Sequence, residues 1–382
     1  MIGNSNSDTP KKITSLPELA MLFLKLGCLG FGGPAVHIAM MEEEVVRKRS
    51  WMSHEHFLDL VSATNLIPGP NSTEMTMHIG HERAGWKGLL VAGSCFIIPA
   101  VLITAGFAWA YKRYGQLPNI TPFIYGIKPA IISVVLVTMI ALGRKALKSV
   151  QLGVIGVLAA TAVLMGLNEI FVLFGAGLIG ILLYWMKGNR LNGIFPFFFL
   201  QVAQPIVLEG SWLRVFLIFL KIGAILYGSG YVLFAFLDAE LVSRGWLSKQ
   251  VLIDAIAVGQ FTPGPVLSSA TFIGWQIGGA EAAIAATVGI FLPSFLFVAL
   301  LNPVIPKLRR SPIMSAFLDT INIAAVAVIL SILIEMGRET LLDWRTVLIA
   351  VISFVVTFYF KKINTAFIIV GGAALGYLLW WI

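Results

Sequence analysis

The chain is poor in charged residues and in cysteine. Asp, Glu, Lys and Arg make up 12% of its 382 residues and hydrophobic residues 58%, whereas soluble domains carry about 25% charged residues. The two cysteines, Cys28 and Cys95, lie in separate apolar segments with no CxxC or His-rich spacing, which indicates neither a disulfide framework nor a zinc site. The composition predicts a polytopic membrane protein without a soluble domain.

The net charge of +8 does not indicate nucleic-acid binding, because the basic residues lie mostly at the ends of apolar segments. Residues 1–12 are polar and lack the pattern of a removable signal peptide, so the first apolar stretch is expected in the mature protein. No nucleophile–base pair, metal-ligand spacing or cofactor loop is present, and the chain is not expected to be an enzyme or to hold a cofactor or metal.

One motif occurs twice. Residues 23–70 read FLKLG…FGG…E…W(x)S…D…PGP, and residues 219–265 repeat that order as FLKIG…YGS…E…W(x)S…D…PGP. Glycine and Pro-Gly-Pro breaks inside apolar segments are tolerated in hydrocarbon only where the freed backbone is buried in protein or lines a cavity. Two copies of such a broken-helix unit are typical of a secondary transporter with its site at the repeat interface.

The charge bias of the two copies is opposite. The basic RKALK sequence at residues 144–148 aligns with the charge-balanced RETLLDWR at residues 338–345. The basic residues Arg47–Arg49 align with the sequence SRG at residues 243–245, which contains a single arginine. The positive-inside rule then predicts an all-α membrane protein whose two homologous halves form an inverted-topology repeat. We expect a cytoplasmic tail at residues 1–15, repeats at residues 16–190 and 211–382, and a linking segment at 191–210 whose apolar run, residues 194–208, crosses once.

The breaks predict re-entrant hairpins at residues 16–40 and 53–80, with tips at residues 30–34 and 68–70. Proline is favoured in the first turn of a helix, so Pro34 and Pro70 are expected to begin the second arm of each hairpin. The unpaired N–H groups and positive dipole ends of those arms would face the membrane midplane and bind an anion. The alternative is that the glycines are close helix-packing contacts.

The residues predicted to bind substrate therefore lie at the tips. In the first half they are Gly32, Gly33, Pro34, Asn65, Pro68, Gly69, Pro70, Asn71, Ser72 and Thr73. In the second half they are Gly228, Gln260, Pro263, Gly264, Pro265 and Ser268. Lys25 and Lys221 occupy equivalent positions and are predicted to flank the anion path, the alternative being that each snorkels to the interface.

Glu74 and His78 share one helical face after the PGP tip and are predicted to couple a proton. The alternative for Glu74 is a hydrogen bond to amides at its helix N-terminus. Glu44 has an equivalent at Glu240 and Asp59 at Asp254; these pairs are candidates for structural ion pairs or gating contacts.

The segments FLKLGCLGFGGPAVHIAMMEEEVVRKRSW, FLDLVSATNLIPGPNSTEMTMHIGHERAGW, FLKIGAILYGSGYV and AVGQFTPGPVLSSATFIG resemble the long, two-domain form of the chromate ion transporter family. The resemblance implies a multi-pass inner-membrane protein that expels chromate and confers resistance, with sulfate as the structural analogue. The second copy departs from the pattern, since GGP becomes GSG at residues 228–230 and NSTE becomes VLSS at residues 266–269. The first half is therefore the expected place of binding.

The combined expectation is a secondary transporter of a tetrahedral oxyanion in the lipid bilayer, an antiporter that exports chromate with proton coupling. Sulfate uptake and an anion channel remain the alternatives. A homodimer is the default assembly.

Replacing Lys25 by Ala is expected to abolish chromate resistance while leaving the protein in the membrane, because one of two predicted cations beside the dianion is lost. Growth on chromate and the abundance of the protein in membranes test this. Unchanged resistance at normal abundance would remove Lys25 from the site.

Overall fold

A computed structural model describes residues 14–115, 117, 120–186, 211–227, 230–301, 311–360 and 363–382. Within these ranges the chain is helical and forms no strand. The predicted crossing at residues 194–208 and the predicted site residue Gly228 lie outside the described residues.

Within the described residues, each half contributes seven α-helices in the same order. In the first half they are α1 (Leu16–Leu29), α2 (Pro34–Met41, continued by a π-helical segment Glu42–Lys48), α3 (His54–Thr64), α4 (Asn71–Tyr114), α5 (Thr121–Ala146), α6 (Val150–Leu164) and α7 (Glu169–Met186). In the second half they are α8 (Ser211–Ile225), α9 (Leu233–Leu237, continued by a π-helical segment Asp238–Val242), α10 (Lys249–Phe261), α11 (Ser269–Leu301), α12 (Pro312–Thr340), α13 (Trp344–Tyr359) and α14 (Thr365–Trp380). Short 3₁₀ turns, Gly230–Val232 and Val266–Ser268, precede α9 and α11.

The breaks fall where the glycine and proline residues predict them. Helix α1 gives way to residues 30–33 before Pro34 begins α2, and residues 65–70 separate α3 from α4. The W(x)S element of the motif supplies a cap in each half, because the hydroxyls of Ser53 and Ser248 accept backbone amides in the first turns of α3 and α10. We call residues 30–33 the first tip, residues 65–70 the second, residues 226–227 with 230–232 the third, and residues 262–268 the fourth.

Helices α4 and α11 are each divided by a glycine kink. Gly85 and Gly279 have φ angles of +59° and +73°, which side chains rarely adopt, so only glycine permits the turn without strain. Beyond the kinks the helices are long and apolar. Five described helices, α4, α5, α7, α11 and α12, are long and apolar enough to cross a membrane, as expected of a multi-pass protein.

The two halves run in opposite directions, as predicted. Equivalent helices α5 and α12 lie side by side, and the Lys148 ammonium at the end of α5 is 2.7 Å from the Asp319 carboxylate near the start of α12. At the other end, the Tyr125 hydroxyl near the start of α5 donates to Asp343, just after α12. Equivalent helices that pack antiparallel are related by an axis perpendicular to them, which makes the repeat an inverted one. We call the Lys148–Asp319 end the first face and the Tyr125–Asp343 end the second face.

Glycines allow close packing between the halves at the second face. A side chain on Gly126 of α5 would overlap the backbone of Gly372 and Gly376 in α14. Small residues at such crossings let helix backbones approach, which is how membrane helices associate.

A Gly126→Val substitution is expected to destabilise the protein by about 1–3 kcal/mol, because the added side chain must push α14 away. Thermal unfolding of the purified protein in detergent measures this as a lower melting temperature. Gly106→Val is the matched control, since a side chain at Gly106 meets open space. Equal melting temperatures for the two variants would contradict the close crossing.

Candidate functional site

A cavity of about 970 Å³ lies between the halves, where the tips meet. Its floor is formed by the tips, and its walls are the last turns of α5 and the first half of α12. The polar residues on those walls are Thr138, Lys145, Lys148, Ser315, Asp319 and Asn322.

Seven of the predicted substrate-binding residues line this cavity. They come from the first, second and fourth tips and the start of α4: Gly32, Pro34, Asn65, Pro70, Asn71, Ser72 and Pro265. Six of the seven belong to the first half.

The beginning of α4 presents unpaired amides to the cavity. The N–H groups of Thr73 and Glu74 both donate to the Pro70 carbonyl, so the amides of Asn71 and Ser72 precede the first intrahelical bonds. The Asn71 side chain is held by the Asn65 side chain of the second tip. A helix N-terminus with exposed amides and a side-chain amide beside it can bind an oxyanion.

Several predicted residues lie behind the cavity wall. Gly69 donates its amide to the Leu226 carbonyl at 2.8 Å, and Gly264 donates to the Gly30 carbonyl at 2.7 Å. Each bond joins a tip of one half to a tip of the other. The remaining tip residues that do not line the cavity are Gly33, Pro68, Thr73, Gln260, Pro263 and Ser268; the hydroxyl of Ser268 accepts from Thr104 at 3.2 Å.

Lys25 and Lys221 are not part of the cavity wall either. Lys25 lies 3.1 Å from Glu44, and Lys221 lies 2.6 Å from Glu240, so the equivalent lysines make equivalent ion pairs. Burial alone raises the pKa of the Glu44 carboxyl, but hydrogen bonds from Arg49, Lys25 and Lys48 outweigh it and lower that pKa to about 2. A Lys25→Ala variant therefore also removes an ion pair that ties α1 to the segment following α2.

Sequence reasoning missed the cations that do line the cavity. In the sequence, Lys145 and Lys148 serve only to compare the charge bias of the two halves, which says nothing about their proximity to the tips. Lys148 is paired with Asp319, whereas Lys145 has an exposed side chain on the wall. Only the antiparallel packing of α5 on α12 brings these residues above the tips.

Glu74 and His78 are buried in the first two turns of α4, behind the wall formed by Asn71 and Ser72. Neither residue lines the cavity. Both oxygens of Glu74 and the Nε2 atom of His78 lack a hydrogen-bond partner.

The cavity reaches the first face, where Lys145, Lys148 and Asp319 line it. At the second face, the buried Asp254 of α10 accepts a hydrogen bond from the Tyr111 hydroxyl at 2.6 Å and lies 3.3 Å from the Lys128 ammonium. Helix α10 is buried against α4, α5 and α14, while its equivalent α3 exposes much of its length and the equivalent Asp59 is exposed. The second face is thus closed by packed side chains, whereas the first face is open to the cavity, although the helices at the two faces are equivalent.

The family model described as "Chromate transporter" matches residues 17–181 and again residues 213–377. The chain belongs to the chromate transporter family. It is 31% identical to a "Probable chromate transport protein" of Synechococcus elongatus, over 96% of both chains. It is 29% identical to a "Chromate transport protein" of Cupriavidus metallidurans, over 95% of this chain and 92% of the relative. A further relative with that name, from Pseudomonas aeruginosa, is 27% identical over 89% of this chain and 88% of its own length.

No solved structure matches the chain at a significant level. Membership in the chromate transporter family agrees with a multi-pass membrane protein that moves a solute rather than transforming it.

Proposed function

We propose that this protein exports chromate from the cytoplasm across the inner membrane and so confers chromate resistance. The observation that carries the proposal is the convergence of the tips on one cavity lined by helix amides, polar side chains and lysine ammonium groups. Chromate is a tetrahedral dianion, and amide N–H groups at a helix start together with cations suit its charge. The family's name and the names of its relatives supply the identity of the oxyanion.

The residues proposed to bind the dianion are Asn71, Ser72 and Lys145. Sulfate has the same shape and charge as chromate, so a site made of amides, hydroxyls and ammonium groups binds both. Sulfate acts as a competitor in this proposal, and sulfate uptake is the second candidate function.

The open face supports the proposed export of chromate. The first face carries Arg144, Lys145 and Lys148, and the positive-inside rule assigns it to the cytoplasm. The cavity is then in its inward-facing state, with access for cytoplasmic chromate. A proton carried by Glu74 with His78 is proposed as the coupling ion, and the protein as an antiporter.

Asp254, Tyr111 and Lys128 are proposed to form the outer gate. Asp254 belongs to the second half and the other two residues to the first, so the cluster fastens the halves together at the second face. At the first face the position equivalent to Lys128 is Asn322, which lines the open cavity. Alternating access would exchange these states, closing α3 onto α12 while α10 separates from α5.

Chromate flux into and out of proteoliposomes tests the function directly. The wild-type protein is expected to transport radiolabelled chromate, with competition by sulfate. In Lys145→Gln, the KM for chromate is expected to rise about fivefold, because losing one cation from a solvated site costs on the order of 1 kcal/mol. Lys112→Gln is the control, since Lys112 is an exposed cation outside the cavity wall.

Transport of sulfate but not chromate would favour the sulfate transporter. Single-channel currents that do not depend on a proton gradient would favour an anion channel. An unchanged KM in Lys145→Gln would place the dianion elsewhere.

An Asp254→Asn substitution is expected to open the outer gate, because it leaves the largely buried Lys128 without its counter-ion. The measurement uses an Ala257→Cys substitution, which places a single cysteine on the buried face of α10 in a background without Cys28 and Cys95. Its labelling by an impermeant maleimide from outside should accelerate by about tenfold or more.

Glu281→Gln is the matched control for the gate, because Glu281 is an exposed carboxylate just beyond the kink of α11. The same labelling rate in Asp254→Asn as in Glu281→Gln would show that the cluster does not hold the second face closed.

A further inference from the structure

A carboxylate without a hydrogen-bond partner is buried at the crossing of the two halves. Glu74 is fully inaccessible to solvent, and neither of its oxygens accepts a hydrogen bond. Among the described residues it makes no salt bridge. An isolated charge in such a place is very costly unless it is neutralised by a bound proton or paired with a cation.

One hydroxyl group lies beside this carboxylate. Ser294 of α11, in the second half, is buried next to Glu74, although no hydrogen bond of ordinary geometry joins them, and its hydroxyl oxygen has no partner. Gly69 lies against both groups, because a side chain at this position would overlap the Glu74 carboxylate and the Ser294 hydroxyl.

The unpartnered side-chain atoms of Glu74 and Ser294 are all oxygens, and their total charge is at most minus one. That donor set suits a small monovalent cation, which in transporters is often held where a broken helix meets another helix. A divalent metal would leave uncompensated positive charge in the protein interior. Among the described residues no group of three His, Cys, Asp or Glu side chains offers a metal site.

The neighbouring titratable groups do not neutralise Glu74. On α1 and α2, Lys25 is turned to Glu44 and His37 to the Gly30 carbonyl. Tyr227 of the third tip and His78, one turn along α4, are not hydrogen-bonded to Glu74. Among the described residues, no side chain pairs with the Glu74 carboxylate.

The equivalent crossing in the other half is neutral. The counterpart of Glu74 is Ser269, whose hydroxyl donates to the Val266 carbonyl at 2.9 Å. Where Gly69 meets Ser294, Gly264 meets the methyl group of Ala100. The same junction therefore occurs twice in the pseudo-symmetric fold, and of the two copies only the one at Glu74 contains a carboxylate.

We infer that Glu74 and Ser294 form the binding site of a monovalent coupling cation, a proton or a sodium ion, at the crossing of the two halves and separate from the chromate cavity. The inference rests on the proposed transport function and adds Ser294, a ligand from the opposite half. Because the ligands belong to both halves, cation affinity depends on how the halves are packed. Cation binding and alternating access are linked for that reason.

Chromate flux in proteoliposomes under three driving forces tests the site: a pH gradient without sodium, a sodium gradient without a pH gradient, and a membrane potential alone. The wild-type flux is expected to respond to one of the two cation gradients, which identifies the ion. Glu74→Gln should lose that response. Ser294→Ala should raise the cation concentration for half-maximal flux about tenfold, with the KM for chromate unchanged.

Ser331→Ala is the matched control, because Ser331 is a buried serine of α12 whose hydroxyl is satisfied by the Ala327 carbonyl of its own helix. It should behave as the wild type. A wild-type cation response in Glu74→Gln, or an unchanged half-maximal concentration in Ser294→Ala, would overturn the shared site.

A second measurement separates this inference from the transport function. The melting temperature of the purified protein, in sodium or choline chloride and over a pH series, should rise when the coupling cation binds, and Glu74→Gln should abolish the rise. If no chromate moves but the Glu74-dependent rise is present, the cation site stands and the proposed substrate is wrong. If chromate moves and neither cation alters the melting temperature or the flux, the cation site is wrong.

Discussion

Two backbone hydrogen bonds hold the centre of this protein together, one from Gly69 to Leu226 and one from Gly264 to Gly30. Each broken segment has amides and carbonyls that its own helix cannot pair, and hydrocarbon offers no water to pair them. The partners come from the opposite half. A single half would leave these groups unsatisfied in the membrane, so the tips are stable only when both halves are present and antiparallel.

The backbone of the junction is nearly symmetric, and the side chains are not. Helix α10 is buried with Asp254 fixed by Tyr111 and Lys128, whereas the equivalent α3 borders the open cavity with Asp59 exposed. One sequence pattern therefore occupies two environments in one molecule. In this inverted repeat, one half has the conformation that leaves its face open and the other half the conformation that closes its face. If the halves exchanged these conformations, the other face would open, as in a transport cycle.

The breaks, the repeat and the opposite orientation of the halves were predictable from the sequence. Glycine permits backbone conformations that other residues avoid, proline fixes φ, and the charges at segment ends report orientation, so neither inference needs tertiary contacts. The pairing of Lys25 with Glu44 was harder to predict. Both residues recur in each copy of the motif, but whether a lysine faces a cavity or a carboxylate depends on how the hairpin folds back. The predicted first-half tip residues lie together because they are next to the breaks.

The cavity walls could not be predicted in the same way. Lys145, Asp319 and Asn322 come from two helices that meet only through the antiparallel packing of the halves. Nothing in the local sequence of the RKALK loop distinguishes a cation above a binding site from one that marks a membrane face. The outer gate has the same origin, since Asp254 meets Lys128 across the two halves.

The ion pairs at Lys25 and Lys221 also bear on how tightly a dianion is held. If both lysines faced the tips together with Lys145, the cations would exceed the charge of the substrate, and a transported ion must leave its site as well as enter it. Those lysines are paired with Glu44 and Glu240, and Lys148 is paired with Asp319. Among the described residues, the cation on the cavity wall without an ion pair is Lys145, and helix amides provide the remaining attraction. Amide dipoles bind an oxyanion without a full counter-charge, which favours moderate affinity and release. Neutralising most of the lysines inside the protein is therefore compatible with anion transport, and it explains why the charge-rich motif and the substrate cavity are adjacent but distinct.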